Sequence, residues 1–419
     1  MATSAVHRAR SSGGAARARP LLVALHRYVG LAMAGFLIIA GLTGSLLAFQ
    51  SELDAWLNPS LFHVEQVSGP AFSPSRIVER IERADPTVAV SSIVLPAAPG
   101  ESVSLYVGQR PGAQKAPAYN QIFVDPADGA ILGRRLRGAA RLDRAHLMPF
   151  LYTLHYSLHL PGIWGSWLMG GVALAWMLDC FLGFYLTLPR GGPFWTKWRP
   201  IWRIKRGAGG YRLNLDLHRA SGLWLWPVLF LIALSSVALN LNAEVFRPAL
   251  SALLPTSPSI WDRPAPSVTP SVIIDWDVAV ARAQAEARRR GWFDPVSLVY
   301  AARDQGLYMV RFGRKHQPGF GDSSIFVSGT NGRILFVERA GGGKAGDVVA
   351  DLMFPIHTGQ VAGIAGRILI CIAGIVVALL SITGITIWWK KRIAQGARTR
   401  APGMARRKPG TMKEVHVSG

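Results

Sequence analysis

A membrane-embedded α-helical bundle of four transmembrane helices, carrying two small α+β modules on one side of the bilayer and internally duplicated, is the fold class this sequence predicts. Three observations predict it: four apolar runs of spanning length, basic charge confined to alternate connections, and an internal repeat with the same motifs in the same order.

Half of the 419 residues are hydrophobic and the mean hydropathy is +0.25, which leans away from a soluble enzyme. A spanning helix needs roughly 20 apolar residues at ~1.5 Å rise each. Runs of that length lie near 22–49, 163–188, 217–241 and 363–389. The first reads as a retained anchor, because it is long and LLAFQSE offers no small-residue cleavage pattern.

Charge then orients the runs. The formal net charge is +22 and the pI near 10.9. Arg8, Arg10, Arg17, Arg19 and Arg27 come with no acid among them, 190–219 holds eight Lys/Arg against Asp216, and the chain from Lys390 holds nine against Glu414. The stretches 50–160 and 242–356 are nearly balanced. This is the positive-inside pattern, so the basic excess reports topology and the lipid bilayer as partner, and argues against a nucleic-acid partner. A bacterial inner (cytoplasmic) membrane protein is predicted, multi-pass, with both termini cytoplasmic and the balanced stretches in the periplasm.

The predicted organisation is a basic N-terminal segment (1–20), a first span (21–49), a periplasmic module (50–150), a His-rich segment entering the second span (151–189), a basic cytoplasmic loop (190–216), a third span (217–241), a second module (242–350), a His-containing segment entering the fourth span (351–391) and a basic tail (392–419). Residues 1–18 and the tail from Arg392 are expected to be disordered.

The repeat pairs LHRYVGL at 25 with LHRASGL at 217, and TLHYSLHLPGIWG at 153 with PIHTGQVAGIAG at 355. IFVDPADGAIL at 122 matches IFVSGTNGRIL at 325, and LGFYLTLPR at 182 resembles TGITIWWKK at 383. Each half begins and ends inside, so the halves share one orientation about an axis along the membrane normal. Within the modules, SPSRIVERIERADP (73–86) and DWDVAVARAQAEARRRG (275–291) read as helices, each followed by alternating strand-like runs with ADG and TNG as hairpin turns. Cys180 and Cys371 lie inside apolar runs and read as packing residues, not as a disulfide or a thiolate site.

Five histidines fall at helix ends in repeat-related places. His26 and His218 open the first helix of each half, His155 and His357 precede the second, and His159 follows His155 by four residues, on the same face if that segment is helical. Imidazole suits iron, and axial histidines around a buried macrocycle move single electrons. The functional reading is therefore haem iron ligated by paired imidazoles, one pair per membrane face: His26 facing His218, and His155 or His159 facing His357. The competing use of such imidazoles is as interfacial anchors or hydrogen-bond donors, and duplication would copy a structural histidine too. Arg27 and Arg219 are positioned to meet haem propionates. No CxxCH occurs, so the haem b, two copies on this reading, is held non-covalently.

Asp179 and Arg367 are ionisable groups within apolar runs, too far apart in depth to pair. Arg367 is expected to snorkel or meet a propionate, and Asp179 to face the bundle interior or a proton path. One straight helix from His357 to Trp389 would be ~48 Å long, beyond the ~30 Å hydrocarbon core. Two arrangements follow: a straight helix that stands the outer histidines in the periplasm, or a break at Pro161, Gly162, Gly359, Gly363 or Gly366 that folds the segment back across the bundle top, and the sequence does not choose between them. Trp164, Trp167, Trp195, Trp198, Trp202, Trp388 and Trp389 flank the runs as aromatic belts do.

With LHRYVGLAMAGFLIIAGLTGSLLAF, LHYSLHLPGIWG and modules ending in IFVDPADGAIL and IFVSGTNGRIL, the chain between Leu21 and Lys391 resembles the PepSY-associated transmembrane family, which includes iron-regulated membrane proteins and ferric-siderophore reductases. The resemblance implies two periplasmic PepSY-type modules, b-type haem and electron delivery to periplasmic ferric chelates, with His26, His155, His159, His218 and His357 as the residues that carry over. The second copy departs from LHxxLHLPG, with Val361 near the place of His159.

The leading expectation is thus an oxidoreductase that passes electrons to a ferric-siderophore substrate. No GxGxxG strand-turn-helix unit is present, so the electron donor is a separate cytoplasmic or membrane component, a protein, flavin or quinol. A non-redox membrane scaffold whose modules dock a periplasmic partner is the alternative, and a transporter ranks third because four spans leave little room for a pathway.

Overall fold

The computed structural model describes residues 4–65, 71–262 and 274–400. The chain begins as one long helix, α1 (Ser4–Leu47), followed by the short α2 (Gln50–Leu57). It continues through α3 (Pro74–Ala84) and strands β1 (Val88–Val94), β2 (Val103–Gln109), β3 (Gln121–Val124) and β4 (Ile131–Arg135), then returns by way of α4 (Leu147–Ser157) and α5 (Trp164–Thr187). The second half runs through α6 (Gly210–Trp224), α7 (Trp226–Asn240), α8 (Trp276–Arg289), β5 (Val296–Ala302), β6 (Leu307–Phe312), β7 (Ser323–Ser328), β8 (Ile334–Glu338), α9 (Ala345–Thr358) and α10 (Gly363–Arg400).

Three stretches of helix are long and apolar enough to cross a membrane, Ala18–Leu47, Trp164–Thr187 and Gln360–Gly396, and a fourth joins them if α6 and α7 form one span. That pair departs from the expected single helix over 217–241, because it bends by 70° at Leu225. Pro227 sits in the first turn of α7, where a ring in place of an N–H interrupts the helical ladder. The basic flanks also differ from expectation: helix runs from Ser4 and on to Arg400 where disorder was predicted, while 401–419 lies outside the described residues.

The anticipated breaks before α5 and α10 are present. α4 ends with Leu158 and His159 both in left-handed backbone, and α9 ends with Gly359 at φ 77°. The short helices then fold back, α4 against α1 and α9 against α7. Small residues permit the reversal: a Cβ on Gly165 would strike the Ser157 carbonyl, and one on Gly366 would strike that of Gly359. Because α4 stops at Ser157, His159 does not share a helical face with His155, contrary to the four-residue spacing.

The two modules are one structure. Their strands form a single antiparallel sheet in the order β4-β3-β2-β1-β5-β6-β7-β8, joined at the centre by Ser92, Ile93 and Val94 of β1 against Tyr300, Val299 and Leu298 of β5. Alternation places Val88, Val90, Leu105, Val299 and Val310 on one face, where they share a core with Ile77 and Ile81 of α3 and Ala279 and Ala283 of α8. The helices start from local caps: Ser73 accepts from the Arg76 N–H, and Asp275 from that of Val278. Asp277 stitches the starts together, accepting from Ser73 Oγ at 2.6 Å and the Ser75 N–H at 3.1 Å.

Two ion pairs join the sheet end of the bundle. Arg135 on β4 and Asp54 on α2 are both almost fully buried, with Nη2 to Oδ2 at 2.8 Å and Nη1 to Oδ1 at 3.0 Å. Arg367 on α10 forks onto Glu52 at 2.6 and 2.7 Å, donates to the Ala48 carbonyl at 2.8 Å, lies 3.3 Å from His316 Nδ1, and covers the Phe49 ring. The expectation that Arg367 meets a propionate is therefore replaced: its nitrogens are already engaged, because α2 brings a carboxylate to the depth where α10 needs one.

Burial works to raise the Glu52 carboxyl, but the Arg367 hydrogen bonds, joined by those from its own backbone and Ser51 and by the nearby His316, together outweigh it and leave it below its ordinary value. A depressed carboxyl stabilises the fold above its unfolded pKa, and that contribution fades as pH falls through the folded value. Acid titration below about pH 4 is expected to loosen the α2–α10 junction, read as a larger loss of hydrogen-exchange protection at 50–57 in wild type than in Glu52→Gln over the same pH drop. Equal acid sensitivity in both would refute it.

Candidate functional site

The folded-back helices and the bundle bring the histidines together in two pairs. His26 on α1 and His218 on α6 have ring centroids 6.2 Å apart with planes at 63°, at the end of the bundle away from the sheet. His155 on α4 and His357 on α9 have centroids 6.0 Å apart with planes at 62°, at the end near it. From His26 to Thr43, the residue that holds His155, α1 rises about 25 Å. Between the pairs Met33, Leu37, Leu229 and Val377 close the bundle with apolar contacts.

Hydrogen bonding fixes which nitrogen of each ring is available. Thr43 Oγ1 spends its proton on the Ile39 carbonyl at 2.6 Å, so at 3.0 Å His155 Nδ1–H must donate to it. Ser235 Oγ likewise donates to Ile232 O at 3.0 Å and accepts from His357 Nδ1–H at 3.2 Å. Thr383 Oγ1 donates to Leu379 O at 2.7 Å, and with Leu380 O accepts from His218 Nδ1–H at 3.0 and 3.1 Å. His26 Nδ1–H donates to Asp179 Oδ1 at 2.9 Å. All four rings thus carry their proton on Nδ1 and leave the Nε2 lone pair to bind, the arrangement that orients metal-ligating imidazoles.

His159 stands apart. Its Nε2 is 3.0 Å from the Phe150 carbonyl and its ring stacks on Phe150, so His155 is the partner of His357. Asp179 meets His26, not Arg367, as the depth argument required.

A cavity of about 390 Å³ opens at the His26–His218 pair. Its size falls within the ~300–1,000 Å³ typical of ligand pockets. Gly30 and Gly222 line it one helical turn beyond each histidine, and nothing lies within 4 Å of a Cβ built on Gly30. Gly183 and Gly384 back the two rings, each 3.4 Å from the imidazole Cε1 if given a Cβ, and Gly44 backs His155 in the same way at 3.0 Å. Arg27 and Arg219 both line the cavity. Arg219 donates to Asp216 Oδ1 at 2.7 Å, while its buried Nε has no partner among the described residues.

These features fit a planar metal-bearing group. Two imidazoles sharing one metal through bonds of ~2 Å stand with centroids roughly 6 Å apart. Both pairs have that spacing, and glycines clear the flanks of the His26–His218 pair. No cluster of three or more His, Cys, Asp or Glu able to hold a bare metal ion occurs among the described residues, and each pair offers two nitrogen donors. The cavity's arginines suit acidic groups at its rim.

Sequence reasoning named the histidines but missed Thr43 and Ser235. The signal was available, since the two hydroxyls stand at the same spacing after His26 and His218. The glycines behind the rings were equally legible, because Gly183 and Gly384 occupy matched places in LGFYLTLPR and TGITIWWKK.

Compared with known families, residues 23–391 match the model described as the PepSY-associated TM region. No curated protein matches the chain.

Proposed function

The chain belongs to the PepSY-associated TM family, and from that premise we propose that it is a haem-bearing, internally duplicated inner-membrane protein with four spans, passing electrons to a periplasmic ferric-siderophore substrate. In this orientation the His26–His218 pair lies toward the cytoplasm, the His155–His357 pair toward the periplasm, and the sheet outside.

The single observation that carries the proposal is that two repeat-related imidazole pairs have metal-sharing separations with all four Nδ1 protons already committed. A duplicated structural histidine has no reason to meet its copy at this distance with its free nitrogen unspent. Non-covalent haem b, when bound, supplies one-electron chemistry at iron. The residues do the rest: the four Nε2 atoms would hold the group, the Nδ1 acceptors keep ring orientation, Arg27 and Arg219 would receive its acidic substituents, and the apolar layer around Met33 and Leu37 excludes water between the sites. Transfer of one electron reduces Fe(III) in the chelate to Fe(II), for which hard oxygen donors have less preference. The donor is a separate component on the cytoplasmic side.

Dithionite-reduced minus oxidised absorbance with pyridine haemochrome quantification tests this: a b-type Soret shift at two haems per chain is expected, and a colourless, dithionite-insensitive protein would sink it. Gly30→Leu sharpens the test. Its side chain enters open space, so thermal stability is expected to stay within about 0.5 kcal/mol of wild type, as for substitutions away from packed features. Haem at the inner pair is expected to be lost, read as half the wild-type haemochrome. Full haem content in that variant would show that the cavity is not the cofactor site.

A further inference from the structure

The two imidazole pairs differ in one chemical respect. At the outer pair both Nδ1 protons go to neutral hydroxyls, Thr43 and Ser235, and His218 gives its proton to a hydroxyl and a backbone carbonyl. Only His26 gives its proton to a carboxylate, Asp179, which is mostly buried. The repeat does not copy this group: matching LGFYLTLPR to TGITIWWKK sets Asp179 opposite Leu380, whose contribution to His218 is its carbonyl.

A carboxylate accepting the Nδ1 proton raises the basicity of the imidazole as a ligand. A more basic axial ligand favours the ferric over the ferrous ion, which lowers the reduction potential of that site. Arg27, Arg219 and Lys391 also line the cavity and act in the opposite sense, Arg219 while ion-paired to Asp216, but a substitution at Asp179 leaves all three in place and so reads the carboxylate alone.

Resting on the haem reading above, we infer that Asp179 is a positioning residue that makes the His26–His218 site the lower-potential of the two, so that electrons run downhill from it to the His155–His357 site. The step is one electron, Fe(II) to Fe(III) at the inner site and Fe(III) to Fe(II) at the outer, with no bond made or broken and no proton moved. The asymmetry gives direction to a frame that is otherwise close to two-fold symmetric.

Spectroelectrochemical titration of the purified protein tests this. Wild type is expected to show two one-electron waves, and His218→Ala identifies the inner one by removing it. Asp179→Asn is expected to move the inner wave upward by at least the tenfold redistribution that corresponds to about 59 mV for one electron. Asp179→Glu should hold it low, and Ser235→Asp, which offers a carboxylate to His357, should lower the outer wave. An inner wave unmoved in Asp179→Asn, or an outer wave unmoved in haem-loaded Ser235→Asp, overturns the inference. Absence of haem from wild type overturns the functional reading itself, so the two failures are distinct.

Discussion

His218→Ala is expected to halve the haem content and abolish electron transfer across the membrane, while His159→Ala leaves haem content unchanged. On the functional reading proposed above, the first side chain would supply one of the two nitrogens that hold the group at the His26–His218 pair, and one imidazole alone holds a ligand less tightly than two. The second is already committed to the Phe150 carbonyl and ring. Pyridine haemochrome per chain checks the stoichiometry. Reduction of a ferric chelate on one side of a proteoliposome by a reductant on the other checks the transfer. Full haem in His218→Ala, or its loss in His159→Ala, would remove the pairing on which the functional reading depends.

Arg135→Ala is expected to destabilise the sheet by about 3–5 kcal/mol, the cost of leaving a buried charge without its partner. Its guanidinium serves Asp54, Gln121 Oε1 at 2.8 Å and the Ala145 carbonyl at 2.9 Å, and it also lies over Phe123. One side chain therefore clamps β4, α2 and the approach to α4. Asp54→Leu combined with Arg135→Met should recover much of the loss, because apolar replacement of a whole buried pair removes the desolvation penalty as well as the attraction. Hydrogen-exchange protection at 121–135 reads both. A single variant as well protected as wild type would refute the clamp.

How much of this was legible depended on which forces act locally. Apolar runs, caps at Ser73 and Asp275, and turn glycines act within a few residues, and they were readable at the places where the structure shows them. His26, His155, His218 and His357 were readable because the same motifs occur twice, whereas His159 has no such counterpart. What sequence did not show was pairing across distance. The fusion of two modules through β1 and β5 depends on edges that alternation cannot identify. The choice of His155 over His159 depends on where α4 stops, and the fate of Arg367 depends on Glu52, which lies far off in the chain. The 70° bend at Leu225 was signalled by Pro227, but proline is tolerated in a first turn, so its presence did not say whether the run was one helix or two.

The seam at the middle of the sheet has a historical consequence. Antiparallel strands joined at a centre can be exchanged for one another by a half-turn, so a polypeptide holding only the first half would expose β1 as a bare edge able to pair with its own twin. Two such polypeptides, meeting back to back, would reproduce the eight-strand platform and set each imidazole opposite its counterpart. Carrying both halves in one chain, by contrast, leaves a residue such as Asp179 free to differ from Leu380 at the matching place, which a dimer of identical halves does not allow.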